Sequence, residues 1–373
     1  MIYLDNAATS FPKPSSVIAD LTFCLKKYCG NPGRSSHKLS LRSSEAIYET
    51  REKVADFFHF EEPCQVVFSY NATYCLNLAI KNFIKERCHI ITSNFEHNSV
   101  IRPLEALKQK YGVEYTEISC LGDIRRNLQD ALRDDTKGIV ASIASNVCGD
   151  VLLLQTLSEF AKENSLFLIV DASQAAGHID IDLEKSPCDV LCAPGHKALF
   201  GIQGCGFAIF RNKERMDSFI EGGSGSDSAN ASMPLLLPDG YEAGTLATPS
   251  IVSLGSGIDF IKKHRLSEIE LKLRELTDGL FERLSSLSEV KIYPKGTGLL
   301  SFNIGELPSS YVTKCLDKKG ICVRGGLHCA PSVHRRLGTM TQGAVRASFS
   351  YFNRQSDNDK LYYAIKSIIK ENL

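Results

Sequence analysis

Short runs of apolar and β-branched residues alternate with longer segments of helical periodicity along the first two thirds of the chain. Seven runs predict β-strands: residues 66–68, 89–92, 113–118, 139–143, 166–170, 190–192 and 207–210. Between them, apolar residues recur three or four positions apart in segments that begin near Ser40, after Thr73 and at Ile101, which predicts amphipathic helices. The strand runs are apolar on both faces, so the alternation predicts a mostly parallel sheet covered by helices.

The pattern changes after about residue 250. Six further elements are predicted there: helices over 251–264, 268–287 and 359–369, and strands over 299–304, 322–324 and 345–349. Together they predict a second, smaller α/β layer. The glycine- and serine-rich stretch 222–232 lies before this layer. It is too long for a tight turn and predicts a loop.

The composition is that of a soluble globular protein. The 373 residues exceed the ~100–200 residues of one domain. Hydrophobic residues at 43% and charged residues at 23% exclude a disordered chain, a coiled coil and a collagen-like fibre. Lys and Arg together number 43, as do Asp and Glu, so a zero net charge gives no general attraction to nucleic acid or anionic lipid. Without a membrane-length apolar run or a signal-peptide pattern, we expect a cytoplasmic protein with neither nucleic acid nor membrane as a partner.

Thirteen cysteines are scattered between Cys24 and Cys329, and none forms a Cys-x-x-Cys pair. The odd number and the lack of paired spacing argue against a disulfide framework or a structural zinc site, so we expect no metal. Most of these residues should be small buried hydrophobes. Cys329 differs because it lies in a glycine-flanked loop between His328 and Pro331, a setting that favours an exposed thiol open to activation as a thiolate.

A lysine and an aspartate stand at the ends of successive predicted strands. The strand at 190–192 runs into a turn of small residues that ends at Lys197. Burial there would lower the lysine pKa and make its neutral amine nucleophilic, as a Schiff-base lysine requires, whereas the alternative is a surface lysine in a hairpin turn. Asp171 ends the preceding strand, where α/β folds place their ligands, and would suit the protonated pyridine nitrogen of pyridoxal phosphate. A helix N-cap is the alternative for Asp171 alone, but the pair favours the cofactor.

Three further positions extend this hypothesis. Thr73, at the start of the helix after the strand at 66–68, offers a hydroxyl and free backbone N–H groups to a phosphate. His97 follows another strand and would lie over a planar cofactor, although a lone histidine there is more often a turn residue. Arg346 interrupts an apolar strand, and a buried arginine needs an anion. Its fork of donors suits a carboxylate, with an internal salt bridge as the alternative.

Seven short motifs stand in one order along the chain: Asp-Asn-Ala-Ala-Thr at 5–9, Glu-His-Asn at 96–98, Ser-Asn-Val at 145–147, Asp-Ala-Ser-Gln at 171–174, Gly-His-Lys at 195–197, Glu-Ala-Gly-Thr at 242–245 and Leu-His-Cys-Ala-Pro at 327–331. The series resembles the class V aminotransferase-fold enzymes and, within them, the cysteine desulfurases. It spans nearly the whole chain, from Tyr3 to about Asn353. The segment from Arg324 to Cys329 is similar to the group II, Suf-type branch, which shares selenocysteine lyase activity.

The resemblance implies a pyridoxal 5'-phosphate-dependent transferase of fold type I that forms a homodimer. It implies a large cofactor domain (13–257) with the mostly parallel sheet and a small α/β domain that joins 1–12 to 258–373. The implied reaction converts L-cysteine to L-alanine, with sulfur transferred to Cys329 as a persulfide and a sulfur-acceptor protein as a candidate partner. The alternatives are a selenocysteine lyase acting on L-selenocysteine, a β-eliminating C–S lyase, an aminotransferase proper and a non-catalytic scaffold.

Carried over residue by residue, the resemblance implies roles for the motif positions. Lys197 would hold the cofactor covalently and serve as the base for the α-proton, Asp171 would pair with the pyridine nitrogen, and His97 would stack on the ring. Arg346 would bind the substrate carboxylate, and His97 or His328 would move the thiol proton. Further cofactor or substrate contacts are implied for Asn146 and Gln174 near the ring hydroxyl or substrate, for Ala72, Thr73 and His196 at the phosphate, and for Thr245 from the partner subunit.

Two positions depart from the desulfurase pattern. Pro194 stands where the phosphate site usually has a hydroxyl residue, and proline offers neither a hydroxyl nor an N–H. Leu327 stands where group II enzymes commonly have the first of two histidines, which bears on the substrate more than on the fold or cofactor. Asn31 and His37 lie in a stretch similar to the family's substrate-entrance region, without an assigned role.

Overall fold

The computed structural model describes residues 1–33 and 36–372 as two α/β layers. The helices and strands in chain order are β1 (Ile2–Tyr3), α1 (Ser15–Lys27), α2 (Lys38–Phe57), β2 (Val66–Ser69), α3 (Ala72–Phe83), β3 (His89–Ser93), α4 (Asn98–Tyr111), β4 (Glu114–Ile118), α5 (Ile124–Ala131), β5 (Thr136–Ser142), α6 (Leu154–Glu163), β6 (Phe167–Asp171), β7 (Val190–Pro194), β8 (Gly206–Phe210), α7 (Thr248–His264), α8 (Leu266–Ser285), β9 (Val290–Ile292), β10 (Leu299–Ile304), α9 (Ser309–Lys318), β11 (Ile321–Cys322), β12 (Arg324–Gly326), α10 (Pro331–Leu337), β13 (Ala344–Ser348) and α11 (Gln355–Asn372). A 3-10 turn, Pro63–Gln65, precedes β2.

Seven strands form the main sheet in the order β2-β8-β7-β6-β5-β3-β4. From β7 to β4 every neighbouring pair is parallel. β8 is antiparallel to both of its neighbours because it returns directly from β7 without a crossover helix. The predicted mostly parallel sheet is confirmed, with this one strand reversed.

Each central strand packs against a different hydrophobic cluster on each face of the sheet. In β3, Ile90 packs with residues of α3 and α4, whereas its neighbour Ile91 packs with residues of α2 and α7. In β6, Leu168 packs in the same cluster as Ile91, and Ile169 packs in the same cluster as Ile90. Successive side chains of a strand point to opposite faces, so burial on both faces requires continuous apolar runs. This is the physical reason that these strands were recognisable in the sequence.

The second layer contains the antiparallel sheet β12-β13-β10-β9, packed against α8 and α9, and α11 packs on these two helices. A separate pair is formed by β1 and β11, which run parallel with Ile2 opposite Ile321. The first residues of the chain therefore lie beside its last third. The division into domains at residues 12/13 and 257/258 stays a prediction.

The strand predicted over 322–324 is wrong, because the chain changes sheets within it. Cys322 belongs to β11, and its carbonyl accepts a hydrogen bond from the Leu4 N–H. Arg324 begins β12 and pairs with β13. The local apolar pattern does not indicate that Cys322 pairs with the N-terminal strand β1. The loop predicted over 222–232 has bends and turns but no helix or strand.

All thirteen cysteines are free, and eight are buried, whereas Cys329 is exposed. Within residues 1–33 and 36–372, no three His, Cys, Asp or Glu side chains are grouped so that they could hold a metal ion. No helix in the same described part of the chain is long and apolar enough to cross a membrane.

Candidate active site

A cleft of about 220 Å³ lies where the carboxyl ends of β5, β6 and β7 meet the second sheet. Carboxyl ends of parallel strands are the usual ligand position in α/β sheets. Nine of the residues predicted for the site line this cleft: Ala72, Thr73, His97, Asn146, Asp171, Gln174, His196, Lys197 and Arg346. The structure thus gathers residues that are up to 274 positions apart in the chain, from Ala72 to Arg346.

Lys197 projects into the cleft from the connection between β7 and β8. This connection is tightened by hydrogen bonds from Gly195 N–H to Cys205 O (3.0 Å) and from Gly201 N–H to Gly195 O (2.8 Å). Burial lowers the pKa of Lys197 to about 8, although the Asp171 carboxylate opposes the shift. About a tenth of this amine is therefore neutral and nucleophilic at pH 7, far more than for an ordinary lysine.

Asp171 ends β6 and is 4% exposed. Its Oδ1 accepts a hydrogen bond from the Ser173 N–H at 2.8 Å, as expected if it caps the following turn. Its Oδ2 has no hydrogen-bond partner in the described part of the chain and remains for a ligand. The alternative role as a cap thus accounts for one oxygen only.

The N-terminus of α3 forms one end of the cleft. Asn71 caps the helix by accepting from the Tyr74 N–H at 3.0 Å, and Ala72 and Thr73 line the cleft. Gly206 allows this close approach, since a Cβ there would lie 2.5 Å from the Asn71 carbonyl carbon. The buried Nδ1 of His196 has no hydrogen-bond partner in the described chain, and burial lowers the pKa of this ring to about 4.

His97 is the N-cap of α4 as well as a wall of the cleft. Its Nδ1 accepts from the Ser99 N–H at 3.1 Å, so in the neutral ring the proton is on Nε2. Ser99 Oγ lies 2.9 Å from the same Nδ1 and 2.7 Å from Thr73 Oγ1, which joins the starts of α3 and α4. Burial lowers the pKa of His97, although Asp171 opposes this shift.

Arg346, in β13, is 1% exposed and already paired. Its guanidinium contacts Asp5 Oδ1 at 2.8 Å and donates to the Asn146 carbonyl at 2.8 Å. The internal salt bridge considered from the sequence is therefore present, while the buried Nε lacks a partner among the described residues. Arg324 lies opposite Arg346 in the β12–β13 register, lines the cleft, and has no salt bridge within the described chain.

The turn that carries Cys329 is strained. His328 and Cys329 have φ values of +52° and +57°, and the Ala330 N–H donates to the Leu327 carbonyl at 2.9 Å. This sign pattern is that of a type I′ turn, which favours glycine or asparagine. Left-handed residues with side chains cost roughly 1–2 kcal/mol each. Two hydrogen bonds from the main-sheet layer hold the turn.

In the first of these bonds, the Asn98 N–H donates to the Cys329 carbonyl at 2.7 Å. In the second, Asn146 Nδ2 donates to the His328 carbonyl, also at 2.7 Å. The His328 ring is 4% exposed, and burial lowers its pKa well below the usual value. Both of its nitrogens lie within hydrogen-bond distance of other groups, whereas His97 Nε2 has no partner in the described chain.

The remaining predicted positions lie apart from these groups. Thr245 lines a separate surface pocket together with Tyr70 and Tyr74. His37 caps α2, with its Nδ1 accepting from the Ser40 N–H at 3.2 Å, and the Asn31 carbonyl accepts from Ser40 Oγ at 2.7 Å.

Sequence reasoning missed three contributions to the cleft. Ala7 and Ala8 line it, with the neighbouring Asp5 paired with Arg346 and the Ala7 carbonyl accepting from Gln174 at 3.0 Å. Ser99 and Arg324 also line the cleft without having been proposed for it. The motif at 5–9 was a signal for the first contribution, but nothing local pointed to Ser99.

Comparison with known proteins is consistent with this arrangement. Residues 2–361 match the aminotransferase class-V family. A probable cysteine desulfurase of Pyrococcus abyssi is 32% identical, over 99% of this chain and 94% of its own length. A probable cysteine desulfurase of Methanothermobacter thermautotrophicus is 30% identical, over 98% and 94% respectively. The apo structure of a cysteine desulfurase from Thermococcus onnurineus superposes with a TM-score of 0.90 at 30% identity, covering 99% of this chain and 95% of that one.

Proposed function

The chain belongs to the class V aminotransferase family, and we propose that it is a pyridoxal-phosphate-dependent cysteine desulfurase that converts L-cysteine to L-alanine. Sulfur passes to Cys329 as a persulfide and from there to an acceptor. The observation that carries this proposal is an exposed cysteine directly after His328, which lines the cleft that contains Lys197 and Asp171. Asn146 holds the His328 carbonyl and Asn98 holds the Cys329 carbonyl.

The residues of the cleft fit pyridoxal phosphate. His196 has a buried nitrogen without a partner among the described residues, beside the N-terminus of α3, and both suit a phosphate. Asp171 has one oxygen that no other described residue engages, available to the pyridine nitrogen, and Lys197 has an amine of lowered pKa for the aldehyde. Pro194 supplies no donor at this end, so the phosphate would rely on His196, Ala72 and Thr73. Bound pyridoxal phosphate supplies an electron sink for a carbanion at the substrate α-carbon.

Side chains of the protein bind the substrate and transfer the proton and the sulfur. Arg346, beside Arg324, holds the substrate carboxylate, and the Lys197 amine takes the α-proton. The Cys329 thiolate attacks the sulfur of the bound cysteine. The bond between Cβ and sulfur breaks, a sulfur–sulfur bond forms on Cys329, and protonation of Cβ gives alanine. The thiol proton of exposed Cys329 passes to water. His97 Nε2, which carries the ring proton and has no partner among the described residues, is free to donate to the thiolate, whereas both nitrogens of His328 are engaged.

We also propose that the enzyme is a homodimer. Thr245 lies outside the cleft of its own chain, as expected for a residue that contacts the cofactor of the other subunit. L-Selenocysteine is an alternative substrate for the same cleft, and its weaker carbon–selenium bond would make Cys329 less necessary.

Product analysis tests the function. Purified protein loaded with pyridoxal phosphate is mixed with L-cysteine and a reductant, and alanine, sulfide, pyruvate and ammonia are measured. We expect alanine and sulfide in equal amounts. Pyruvate with ammonia would instead identify a β-eliminating lyase, and absence of any product would reject L-cysteine as the substrate.

Two cysteine variants test the persulfide step. Cys329→Ser should abolish alanine formation from L-cysteine while leaving cofactor binding intact. Cys64→Ser is the matched control, since Cys64 is also exposed but lies before β2, outside the cleft. Equal alanine output from Cys329→Ser and the control would overturn the role of Cys329.

A further inference from the structure

Two histidines and a threonine form a buried hydrogen-bond chain behind the turn that carries Cys329. Thr339 Oγ1 lies 2.7 Å from His334 Nδ1, and His334 Nε2 lies 3.3 Å from His328 Nδ1. His328 Nε2 lies 3.3 Å from the carbonyl oxygen of Arg324. Thr339, His334 and His328 are only 2%, 0% and 4% exposed, so water does not compete for these hydrogen bonds.

The last acceptor determines the direction of every bond in this chain. A carbonyl oxygen can only accept, so His328 carries a proton on Nε2. Neither ring forms an ion pair with a carboxylate in the described part of the protein. Burial, reinforced by Arg346, lowers the pKa of His328 well below the usual value, and burial lowers the pKa of His334 to about 4. Both rings are therefore neutral near pH 7.

With both rings neutral, each link fixes the tautomer of the next. His328 Nδ1 has no proton and accepts from His334 Nε2. His334 Nδ1 then has no proton either, and it accepts from the Thr339 hydroxyl. The two rings are nearly parallel, at 17° with centroids 5.5 Å apart, which lets the bond between their facing nitrogens lie close to both ring planes.

The chain ends on a turn that needs support. His328 and Cys329 both have positive φ values, and a peptide with these side chains seldom adopts that conformation unaided. Asn98 and Asn146 hold the two carbonyls of the turn, while the His328 ring ties it to the Arg324 carbonyl and to His334. Loss of the ring's partner would free His328 to rotate and let the turn relax.

We propose that His334 and Thr339 are positioning residues for Cys329: they hold His328 as the neutral Nε2–H tautomer and thereby fix the turn that carries Cys329 next to the cleft. The inference rests on the proposed function, in which this thiol accepts sulfur. Neither residue touches the cleft itself.

The first test measures the tautomers and does not depend on activity. In protein labelled with ¹⁵N-histidine, long-range ¹H–¹⁵N spectra near pH 7 should show His328 and His334 as neutral rings protonated on Nε2. The variants His328→Gln and His334→Gln assign the signals. A ring protonated on Nδ1, or a charged ring at either position, would overturn the proposal.

The second test uses a matched pair of substitutions at Thr339. Thr339→Val keeps the shape but removes the hydroxyl, whereas Thr339→Ser keeps the hydroxyl. In Thr339→Val, we expect amide hydrogen exchange in the peptide containing residues 327–331 to be at least roughly tenfold faster than in wild type, and Thr339→Ser should restore slow exchange. Equal exchange in both variants would show that the chain does not hold the turn.

The third test concerns sulfur transfer in the pyridoxal-phosphate-loaded enzyme. Small misplacements of a reacting group cost up to about a hundredfold in rate. Thr339→Val and His334→Phe should therefore lower kcat with L-cysteine roughly tenfold or more, with KM and the cofactor absorbance retained. His334→Gln, which keeps a donor toward His328, should recover part of the loss.

A remote Thr22→Val change, on the exposed face of α1, controls for the loss of a hydroxyl in general. A fall in kcat with cofactor loss would mark a merely structural role and overturn the proposal, as would unchanged kcat. If the wild-type enzyme gives no alanine, the proposed function fails, whereas the tautomer and exchange tests still decide whether the chain of hydrogen bonds holds the turn.

Discussion

Glu96 is a carboxyl group with no exposed surface, directly before His97, and it offers a direct test of the electrostatics below the cleft. It accepts hydrogen bonds from the Ser93 hydroxyl, the Ser142 N–H (2.8 Å) and the Ser142 hydroxyl (2.6 Å). Burial nevertheless raises its pKa from 4.5 to about 7, and the Asp171 carboxylate adds to the shift. The carboxyl is therefore held protonated at a pH where the unfolded chain would release its proton.

The sign of the pH dependence follows from this raised pKa. The stabilising contribution is complete below about pH 4.5 and is lost as the pH rises through about 7. Since one pH unit corresponds to about 1.4 kcal/mol, the shift amounts to about 3 kcal/mol of unfolding free energy. Glu96→Gln replaces the protonated acid by a neutral isostere that keeps one acceptor oxygen and donates to Ser142. It should match wild type near pH 5 and exceed it by up to about 3 kcal/mol at pH 8.

Urea unfolding of the pyridoxal-phosphate-loaded protein at half-unit steps from pH 5 to 8 measures this difference. Glu52→Gln, on the exposed side of α2, is the control for removing a carboxylate from the surface. Identical pH slopes in wild type and Glu96→Gln would refute the assignment of a raised pKa to Glu96. Lower stability of the variant throughout the range would show instead that the ionised carboxylate is the stabilising form.

Two further predictions use other buried charges. Only the neutral Lys197 amine attacks an aldehyde, and burial lowers the pKa of this amine to about 8. The rate at which the cofactor-free protein takes up pyridoxal phosphate should therefore rise about tenfold per pH unit below pH 8 and become constant above pH 8. A flat profile in stopped-flow absorbance would contradict that pKa. Glu242→Gln should cost about 3–5 kcal/mol in urea unfolding, because Glu242 is ion-paired with buried Arg51 and accepts from the Phe68 N–H. Asp259→Asn breaks the exposed pair with Lys53 and should cost less than about 1 kcal/mol, and similar losses in both variants would argue against the effect of burial.

The sequence by itself determined the main sheet and the strand-end residues of the site. Strands buried on both faces must be continuously apolar, so runs such as the one in β6 stand out locally. The run at 166–170 is followed directly by Asp171, and the run at 190–192 leads into the turn that ends at Lys197. Asp171 and Lys197 were found in this way, and both line the cleft. The ordered motifs then indicated the family, which the match over residues 2–361 confirms.

Only the tertiary structure decided which distant groups pair. The ion pair between Asp5 and Arg346 and the contact between Asn146 and His328 join residues 341 and 182 positions apart, and no local pattern records either one. The same holds for His334, which lies outside every element and motif predicted from the sequence. Its partner His328 is adjacent only because α10 folds back behind the Cys329 turn. Apolar periodicity determines which face of an element is buried, whereas the choice of polar partner depends on three-dimensional packing that sequence spacing does not encode.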